Sequence, residues 1–250
     1  MILAIDCGNT RVKWGLKEVD RRQAGSIASD SQASCGWRAL GAAAVADIAR
    51  LEADWASLPA PSRIVIANVA GESVRRALRA LVARFDVEPQ WVKARRDQCG
   101  VINGYADPGQ LGADRWAALV GAWHLLRGAC LVVTAGTATT ADTLSSQGVH
   151  GGGIIFAGVD LMKSALARHT AGLAIEQGRF SQAPRCTADA IESGCLHAQA
   201  GAVERMYSRL EAGAVCLLSG GNAPRILPLL NIPVRAVDNL ALEGLVRIGT

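Results

Sequence analysis

Short apolar runs that end in turn-forming residues recur along the chain and predict buried strands. The first run, Ile2-Leu-Ala-Ile5, ends in Asp6-Cys-Gly-Asn-Thr10, and the alternating residues 12–16 after it predict an antiparallel return. Apolar residues at helical spacing alternate with further runs of this kind, and this alternation is typical of an α/β protein. The further strands are expected at residues 63–68, 89–92, 129–133, 154–156 and 215–218.

Helical periodicity predicts the segments that connect these strands. A stretch rich in Gly, Asn, Asp and Pro, residues 100–112, is expected to be a loop that leads into one long apolar helix. The helices are expected at residues 37–58, 72–85, 113–126, 159–168, 187–211 and 240–247.

A weak internal repeat suggests that the chain is duplicated. The strand that ends in Asp6-Cys-Gly-Asn-Thr10 resembles the strand that ends in Thr134-Ala-Gly-Thr-Ala138, and the two motifs are about half of the 250 residues apart. No proline-rich or low-complexity linker divides the chain. We therefore expect two similar α/β domains, residues 1–115 and 116–250, with the boundary near the helix at residue 113.

Composition and charge exclude several classes of protein. Half of the residues are hydrophobic, 19% are charged and the net charge is +4, which rules out a disordered chain. Lys and Arg do not cluster beyond pairs, so no nucleic-acid partner is expected. No apolar stretch reaches the roughly 18–20 residues that span a membrane, and the first residues lack the features of a signal peptide. A cytoplasmic protein without a membrane partner is expected.

The turns after the buried strands have the composition of anion-binding sites. Gly8 and Gly136 allow backbone N–H groups to approach a phosphate, and the hydroxyls of Thr10 and Thr137 add donors. Two such turns facing each other could hold a polyphosphate between the halves, with Mg²⁺ between the phosphates and Asp6. The alternative is that these are ordinary strand-end turns. A third turn of this kind, Ser219-Gly-Gly-Asn222, favours the binding hypothesis.

A second constellation, Leu111-Gly-Ala-Asp-Arg115, lies at the start of the long helix. Asp114 could take the proton from a substrate hydroxyl, as a carboxylate does in phosphoryl transfer, or could simply cap the helix. Arg115 is unfavourably placed beside the positive end of the helix dipole, and its guanidinium suits a substrate carboxylate. The pair would suit a substrate that carries a hydroxyl and a carboxylate, and the capping role of Asp114 stays the alternative.

Taken together, these motifs resemble the type III pantothenate kinases over essentially the whole chain. The similarity rests on motifs in one order and spacing: Asp6-Cys-Gly-Asn-Thr10, Asn103-Gly-Tyr105 with Pro108, Leu111-Gly-Ala-Asp-Arg115, Gly136-Thr-Ala-Thr-Thr-Ala-Asp142, Gly151-Gly-Gly-Ile154, Thr187-Ala-Asp-Ala-Ile191 and Ser219-Gly-Gly221. The resemblance implies the duplicated actin-like fold of acetate and sugar kinases, heat-shock chaperones and actin, with a nucleotide cleft between two similar domains. It also implies a homodimer that uses ATP and Mg²⁺ to phosphorylate pantothenate, the first step of coenzyme A synthesis.

The same resemblance assigns the site residues. Asp114 is the expected catalytic base, and Asp6 and Asp142 are the expected Mg²⁺ ligands. The expected ATP-binding residues are Asp6, Cys7, Gly8, Asn9, Thr10, Arg11, Val12, Lys13, Thr137, Gly220 and Gly221. The expected pantothenate-binding residues are Tyr105, Gly112, Ala113, Asp114, Arg115 and, from the partner subunit, Thr187.

The chain departs from the family pattern at Thr134. Family members usually have an Asp there, which is associated with an activating K⁺ or NH₄⁺ ion, so a monovalent cation is expected to be absent or weakly bound. A minority branch, which includes proteins called Bvg accessory factor, also lacks this Asp. The alternatives are an enzyme of the same fold with a different acceptor, or a nucleotide-binding regulatory protein with weak or no kinase activity. The intact Asp6, Asp114, Arg115 and Asp142 favour the kinase.

Overall fold

The computed structural model describes residues 1–19, 36–170 and 177–250. The strands are β1 Ile2–Cys7, β2 Arg11–Lys17, β3 Trp37–Ala44, β4 Arg63–Asn68, β5 Gln90–Trp91, β6 Asp97–Gln98, β7 Val101–Asn103, β8 Cys130–Ala135, β9 Ala138–Leu144, β10 Val149–Ala157, β11 Val215–Ser219 and β12 Val234–Ala236. The α-helices are α1 Leu51–Asp54, α2 Glu72–Val82, α3 Ala113–Leu126, α4 Val159–His169, α5 Thr187–Tyr207, α6 Ala223–Ile226 and α7 Leu240–Ile248.

The contacts divide the chain into two compact units. The first comprises Met1–Gly128, Ser146–Gly151 and Asn239–Thr250, and the second comprises Ala129–Ser145 and Gly152–Asp238. Helix α3 belongs wholly to the first unit because it packs closely on α7, where a Cβ at Gly244 would overlap the carbonyl of Ala117. The compact units differ in their bounds from the expected actin-like domains, residues 1–115 and 116–250. Compactness does not test that division, which stays a prediction.

The described residues form one sheet of five strands and one of seven, and five strands of the second sheet have the same connectivity as the first. In the first, the strand order is β3-β2-β1-β4-β5, with β1 antiparallel to β2 and parallel to β4. In the second, the corresponding order is β10-β9-β8-β11-β12, with β8 antiparallel to β9 and parallel to β11. The strands β1 and β8 also have the same pattern of buried positions. The duplicated α/β fold predicted from the weak repeat is therefore confirmed.

The residues after the first hairpin fold differently from the prediction. Residues 37–44 were expected to be helical but form β3, which pairs antiparallel with β2. The Ala and Gly residues of this segment are compatible with both the helical and the strand periodicity. Pairing with a neighbouring strand therefore determines that the segment is a strand. Glycines make that pairing close, because a Cβ at Gly15 would overlap the Trp37 ring and one at Gly41 would lie 2.6 Å from the Trp14 ring.

Most of the other predicted strands and helices are present, and the differences concern short or small-residue segments. Strand β9 was not predicted, because its Ala and Thr residues resemble the turn that precedes them. The predicted loop at 100–112 contains the short strand β7, which pairs with Val149 and His150. Gly153 lies within β10, where a Cβ would overlap the Asp142 carboxylate, so glycine permits close packing of β10 there. Among the described residues, no helix is long and apolar enough to cross a membrane.

Candidate active site

Asp6 stands near the end of β1 with an unsatisfied carboxylate. It is paired with Lys13 across the β1–β2 ladder, yet its Oδ1 atom is buried and makes no hydrogen bond. Burial, followed by the charge of Asp114, raises the pKa of Asp6 to about 7, although Lys13 acts in the opposite direction. A buried, unpartnered carboxylate oxygen beside a second carboxylate is a position that a cation would stabilise.

Carbonyl groups at the turn after Asp6 accept backbone hydrogen bonds. The N–H of Gly8 donates to the Arg11 carbonyl over 3.0 Å, and the N–H of Val45 donates to the Thr10 carbonyl over 2.9 Å. A Cβ at Gly8 would meet only the Arg11 carbonyl, at an ordinary 3.7 Å. The packing of the chain does not itself require glycine at this position, in agreement with the hypothesis that a ligand approaches the turn.

Cys7 lies within this motif but is chemically inert. Its side chain is fully buried, and burial together with the charge of Asp6 raises the pKa of the thiol to about 12. The thiol is therefore neutral at pH 7, and Cys7 contributes to the motif through its backbone and its packing.

Asp114 occupies the first turn of α3 without being its N-cap. Gly112 is the N-cap residue, and its carbonyl accepts the hydrogen bond of the Trp116 N–H at 2.9 Å. The Oδ1 atom of Asp114 accepts the N–H of Arg115 at 2.8 Å and would lie 2.6 Å from a Cβ at position 112. Asp114 thus binds one free N–H group of the helix start while its charge still acts on Asp6. Glycine at position 112 leaves room for this carboxylate.

Arg115 and Tyr105 form a second part of the site in the same unit. Arg115 is only 6% exposed, and its Nη1 donates to the Tyr105 hydroxyl over 3.1 Å while its guanidinium lies 5.8 Å from the Tyr105 ring. The ring of Tyr105 packs on His150, with 5.3 Å between the centroids. Arg115 is therefore held in a largely desolvated position, where its affinity for a carboxylate is strongest.

The loop that carries Tyr105 is fixed by two residues that had no predicted role of their own. The buried Asn103 accepts the Tyr105 N–H at 3.0 Å and donates to the Pro108 carbonyl over 3.3 Å. The guanidinium of Arg96 donates to the carbonyls of Asn103, Tyr105 and Ala106. Asn103 belonged to a motif quoted for the family resemblance, whereas nothing in the sequence around Arg96 pointed to this role.

In the second unit, the β8–β9 turn and the Ser219–Asn222 turn lie against each other. Asn222 donates through its backbone N–H to the Ala135 carbonyl over 3.0 Å and through Nδ2 to the Gly136 carbonyl over 3.2 Å. Gly220 has φ +107°, and a Cβ there would overlap the backbone of Ala135. The structure thus brings the predicted nucleotide residues Thr137, Gly220 and Gly221 into one neighbourhood.

The remaining predicted residues also lie in the second unit. Asp142 is 2% exposed within β9, and Thr187 is exposed at the start of α5. Among the residues that the structure describes, no group of three or more His, Cys, Asp or Glu side chains could hold a metal ion. Mg²⁺ usually binds through one or two carboxylates, with phosphate oxygens and waters completing its shell, and Asp6 suits that role. Asp142 as a Mg²⁺ ligand stays a prediction.

Thr134 has the same place in the second unit as Asp6 has in the first. Both are the next-to-last residue of the first strand of their sheet and share its burial pattern. The neighbours of Thr134 on the two adjacent strands are Thr140 and Ser219, which offer only neutral oxygens. The carboxylate of the first unit is thus replaced in the second by hydroxyl groups.

Comparison with solved structures identifies the fold. A conserved Baf family protein from Campylobacter jejuni, described as a transcriptional activator, is similar with a TM-score of 0.60 and 17% identity, covering 98% of this chain and 96% of that one. A Sinorhizobium meliloti protein described as a 2-dehydro-3-deoxygalactonokinase is similar with a TM-score of 0.59 and 20% identity, covering 100% and 98%. At these identities the likeness concerns the fold alone, which is the actin-like fold of sugar kinases.

Comparison of the sequence identifies the family. The family model for type III pantothenate kinase matches residues 2–209. The type III pantothenate kinase of Aromatoleum aromaticum is 51% identical, over 98% of this chain and 96% of the relative. That of Nitrosospira multiformis is 47% identical, over 99% and 90%. With a matching family model and near-half identity over almost the full length, the chain belongs to the type III pantothenate kinase family.

Proposed function

We propose that this chain transfers the γ-phosphoryl group of ATP to the hydroxyl of pantothenate and forms 4′-phosphopantothenate, the first step of coenzyme A synthesis. Family membership supports the reaction. The observation that carries the assignment of the site is that the charge of Asp114 acts on the buried carboxylate of Asp6, in the unit that also holds Tyr105 and Arg115. Asp6 suits the binding of Mg²⁺ and phosphate, and Asp114 suits the acceptance of the hydroxyl proton.

In the proposed reaction, Arg115 and Tyr105 bind the carboxylate of pantothenate and so orient its hydroxyl toward Asp114. Asp114 accepts the hydroxyl proton as the oxygen forms its bond to the γ-phosphorus. The bond from the γ-phosphorus to the β,γ-bridging oxygen breaks, and ADP leaves with that electron pair. The hydrogen bond from the Arg115 N–H keeps the Asp114 carboxylate in one orientation.

Asp6 is the residue best suited to hold Mg²⁺, and Asp142 is the second ligand that we propose. The Oδ1 atom of Asp6 is buried without a hydrogen-bond partner, so a cation would stabilise a charge that Lys13 compensates only in part. When bound, Mg²⁺ neutralises part of the charge on the phosphates. The residues from Cys7 to Lys13, with Thr137, Gly220 and Gly221, would contact ATP.

A cytoplasmic homodimer, with the partner subunit contributing Thr187, is part of the same proposal. Thr187 lies beside an apolar groove between α4 and α5, which is lined by Met162, Leu166 and Ile191. Leu161 and Leu166 on α4 are 46% and 37% exposed. Such an apolar surface beside a predicted binding residue suits contact with a second copy of the chain.

A coupled assay of ADP release, with and without pantothenate, tests the proposed function. We expect ADP release that depends on pantothenate and saturates with it. Binding of ATP without any pantothenate-dependent turnover would instead support the regulatory, nucleotide-binding alternative. Turnover with another hydroxyl compound but not with pantothenate would reassign the acceptor.

Replacement of Arg115 by Lys is expected to raise the KM for pantothenate at least about tenfold while the KM for ATP changes little. A Lys ammonium keeps the charge but cannot form the paired hydrogen bonds of a guanidinium with a carboxylate. Steady-state kinetics with each substrate varied in turn measures both constants. An equal rise in the KM for pantothenate and for ATP would show that Arg115 stabilises the structure rather than binding pantothenate.

The rate is expected to depend on Mg²⁺ but to stay nearly constant when K⁺ or NH₄⁺ replaces Na⁺ at fixed ionic strength. Thr134 and its strand neighbours offer neutral oxygens, which hold a monovalent cation less well than a carboxylate does. Initial rates against K⁺ concentration, balanced with Na⁺, provide the measurement. A steep, saturable rise would show that other ligands build the cation site, and Thr134→Asp tests whether the requirement can be installed.

A further inference from the structure

The turn that carries Thr137 owes its conformation to hydrogen bonds at its carbonyl groups. Asn222 Nδ2 binds the Gly136 carbonyl at 3.2 Å, and the N–H of Gly158 binds the Thr137 carbonyl at 2.9 Å. In a trans peptide the C=O and N–H groups point in opposite directions. Fixing the Gly136 carbonyl on Asn222 therefore directs the N–H of Thr137 to the other side of the turn, as an anion-binding turn requires.

The amide of Asn222 can hold this carbonyl only in one of its two orientations, and Arg225 selects that orientation. Arg225 Nη1 donates to Asn222 Oδ1 over 3.1 Å. A guanidinium has donors only, so the side facing it must be the amide oxygen, which leaves the NH₂ group facing Gly136. A flipped amide would set NH₂ against the guanidinium and oxygen against the Gly136 carbonyl.

Arg225 is in turn fixed by a buried carboxylate. Its Nη2 donates to Glu192 Oε1 over 2.7 Å, and Lys163 donates to the other oxygen over 2.6 Å. Burial alone would raise the pKa of Glu192, but the hydrogen bonds and charges of Lys163 and Arg225 outweigh it and hold that pKa below its usual value. Glu192 thus stays ionised, and the guanidinium keeps one arm on Glu192 and the other on Asn222. Asp160, which Arg225 also contacts at 2.9 Å, is exposed.

We propose that Arg225 is a positioning residue for the nucleotide, which acts through Asn222 to hold the Thr137 turn in its phosphate-binding form. No atom of Arg225 needs to contact ATP in this role. The inference rests on the proposed function in one respect, namely that the Thr137 turn contacts ATP. It predicts an effect on nucleotide affinity that is transmitted only through the Asn222 side chain.

The test compares Arg225→Gln, Asn222→Ala and the double variant. We expect each single change to weaken ATP binding about 3- to 10-fold, the range for loss of one hydrogen bond, with the KM for pantothenate unchanged. In the double variant, we expect no further loss beyond that of Asn222→Ala, because the route through Asn222 is already broken. The readouts are calorimetric ATP affinity and the two KM values, measured separately from the thermal midpoint.

Two further variants complete the design. Asp160→Asn removes an exposed partner of Arg225 without touching Asn222 and is expected to leave ATP affinity within about twofold. If Arg225→Gln does not fold, Arg225→Lys keeps a charge beside Glu192, but one nitrogen cannot occupy both Arg225 donor positions, so the same weakening is expected.

Additive losses in the double variant, or unchanged ATP affinity in a folded Arg225 variant, would overturn the inference. Failure of the unaltered protein to bind ATP at all would instead contradict the proposed function.

Discussion

Replacing Asp114 with Asn is expected to lower kcat by a factor on the order of 10²–10⁴, the usual range for a general base. The amide has nearly the same shape, and its oxygen can still accept the Arg115 N–H, so the start of α3 should be preserved. It cannot, however, accept the proton of the pantothenate hydroxyl. The KM for pantothenate should change much less than kcat, because Arg115 and Tyr105 are untouched.

A matched control for this variant lies in the loop that precedes α3. Asp107→Asn changes a carboxylate that caps the short helical turn at Pro108–Gln110, and an Asn can accept the Gly109 N–H in the same way. We expect Asp107→Asn to retain wild-type kcat. Near wild-type turnover in Asp114→Asn would show that Asp114 is not the base. Its charge would then act only by raising the pKa of Asp6.

Replacing Asp6 with Asn is expected to abolish most activity and yet stabilise the ligand-free protein at neutral and alkaline pH. The folded-state pKa of about 7 lies above the ordinary value of 3.8, so the folded state binds more protons than the unfolded state between these values. Stability contributed by the protonated carboxyl is therefore present at low pH and lost as pH rises through about 7. An amide carries no charge and avoids this loss.

Two measurements check the Asp6 prediction. Thermal midpoints of the wild type and Asp6→Asn, compared from pH 5 to pH 8 without ligand, should diverge, with the gain of the variant largest at pH 8. The kcat of Asp6→Asn should fall by a factor on the order of 10²–10³, as for loss of a group that stabilises transition-state charge. A lower thermal midpoint at pH 8 would mean that Asp6 has a stabilising partner in the ligand-free protein.

Local pattern was enough to predict the parts of the fold that repeat. The apolar runs of β1 and β8, each followed by a small-residue turn, predicted the two equivalent first strands, and the alternation at residues 12–16 predicted the hairpin of the first unit. Strand β3 could not be predicted this way, because its alanines and its one glycine fit a helix or a strand and only pairing with β2 settles the choice. Strand β9 was missed for a similar reason, since Thr and Ala also suit turns.

The candidate site also contains residues that local motifs predict and residues that only the folded structure reveals. Asp114 and Arg115 could be named because they lie within a short motif whose residue types indicate the chemistry, whereas Tyr105 was named only through the family resemblance. Arg96, which binds three loop carbonyls, could not be named, because an isolated Arg carries no local signal. The link from Arg225 through Asn222 to Gly136 likewise joins residues more than 80 positions apart, which only the folded chain brings together.

The most direct test of the central claim follows the labelled γ-phosphate of ATP in a single turnover. With enzyme in excess over ATP and with pantothenate and Mg²⁺ present, the account predicts that all the label appears in 4′-phosphopantothenate, in amounts equal to the ADP formed. Asp114→Asn should form the same product on the order of 10²–10⁴ more slowly. Release of the label as free phosphate, or the same rate in both proteins, would contradict the assignment of pantothenate as acceptor and Asp114 as base.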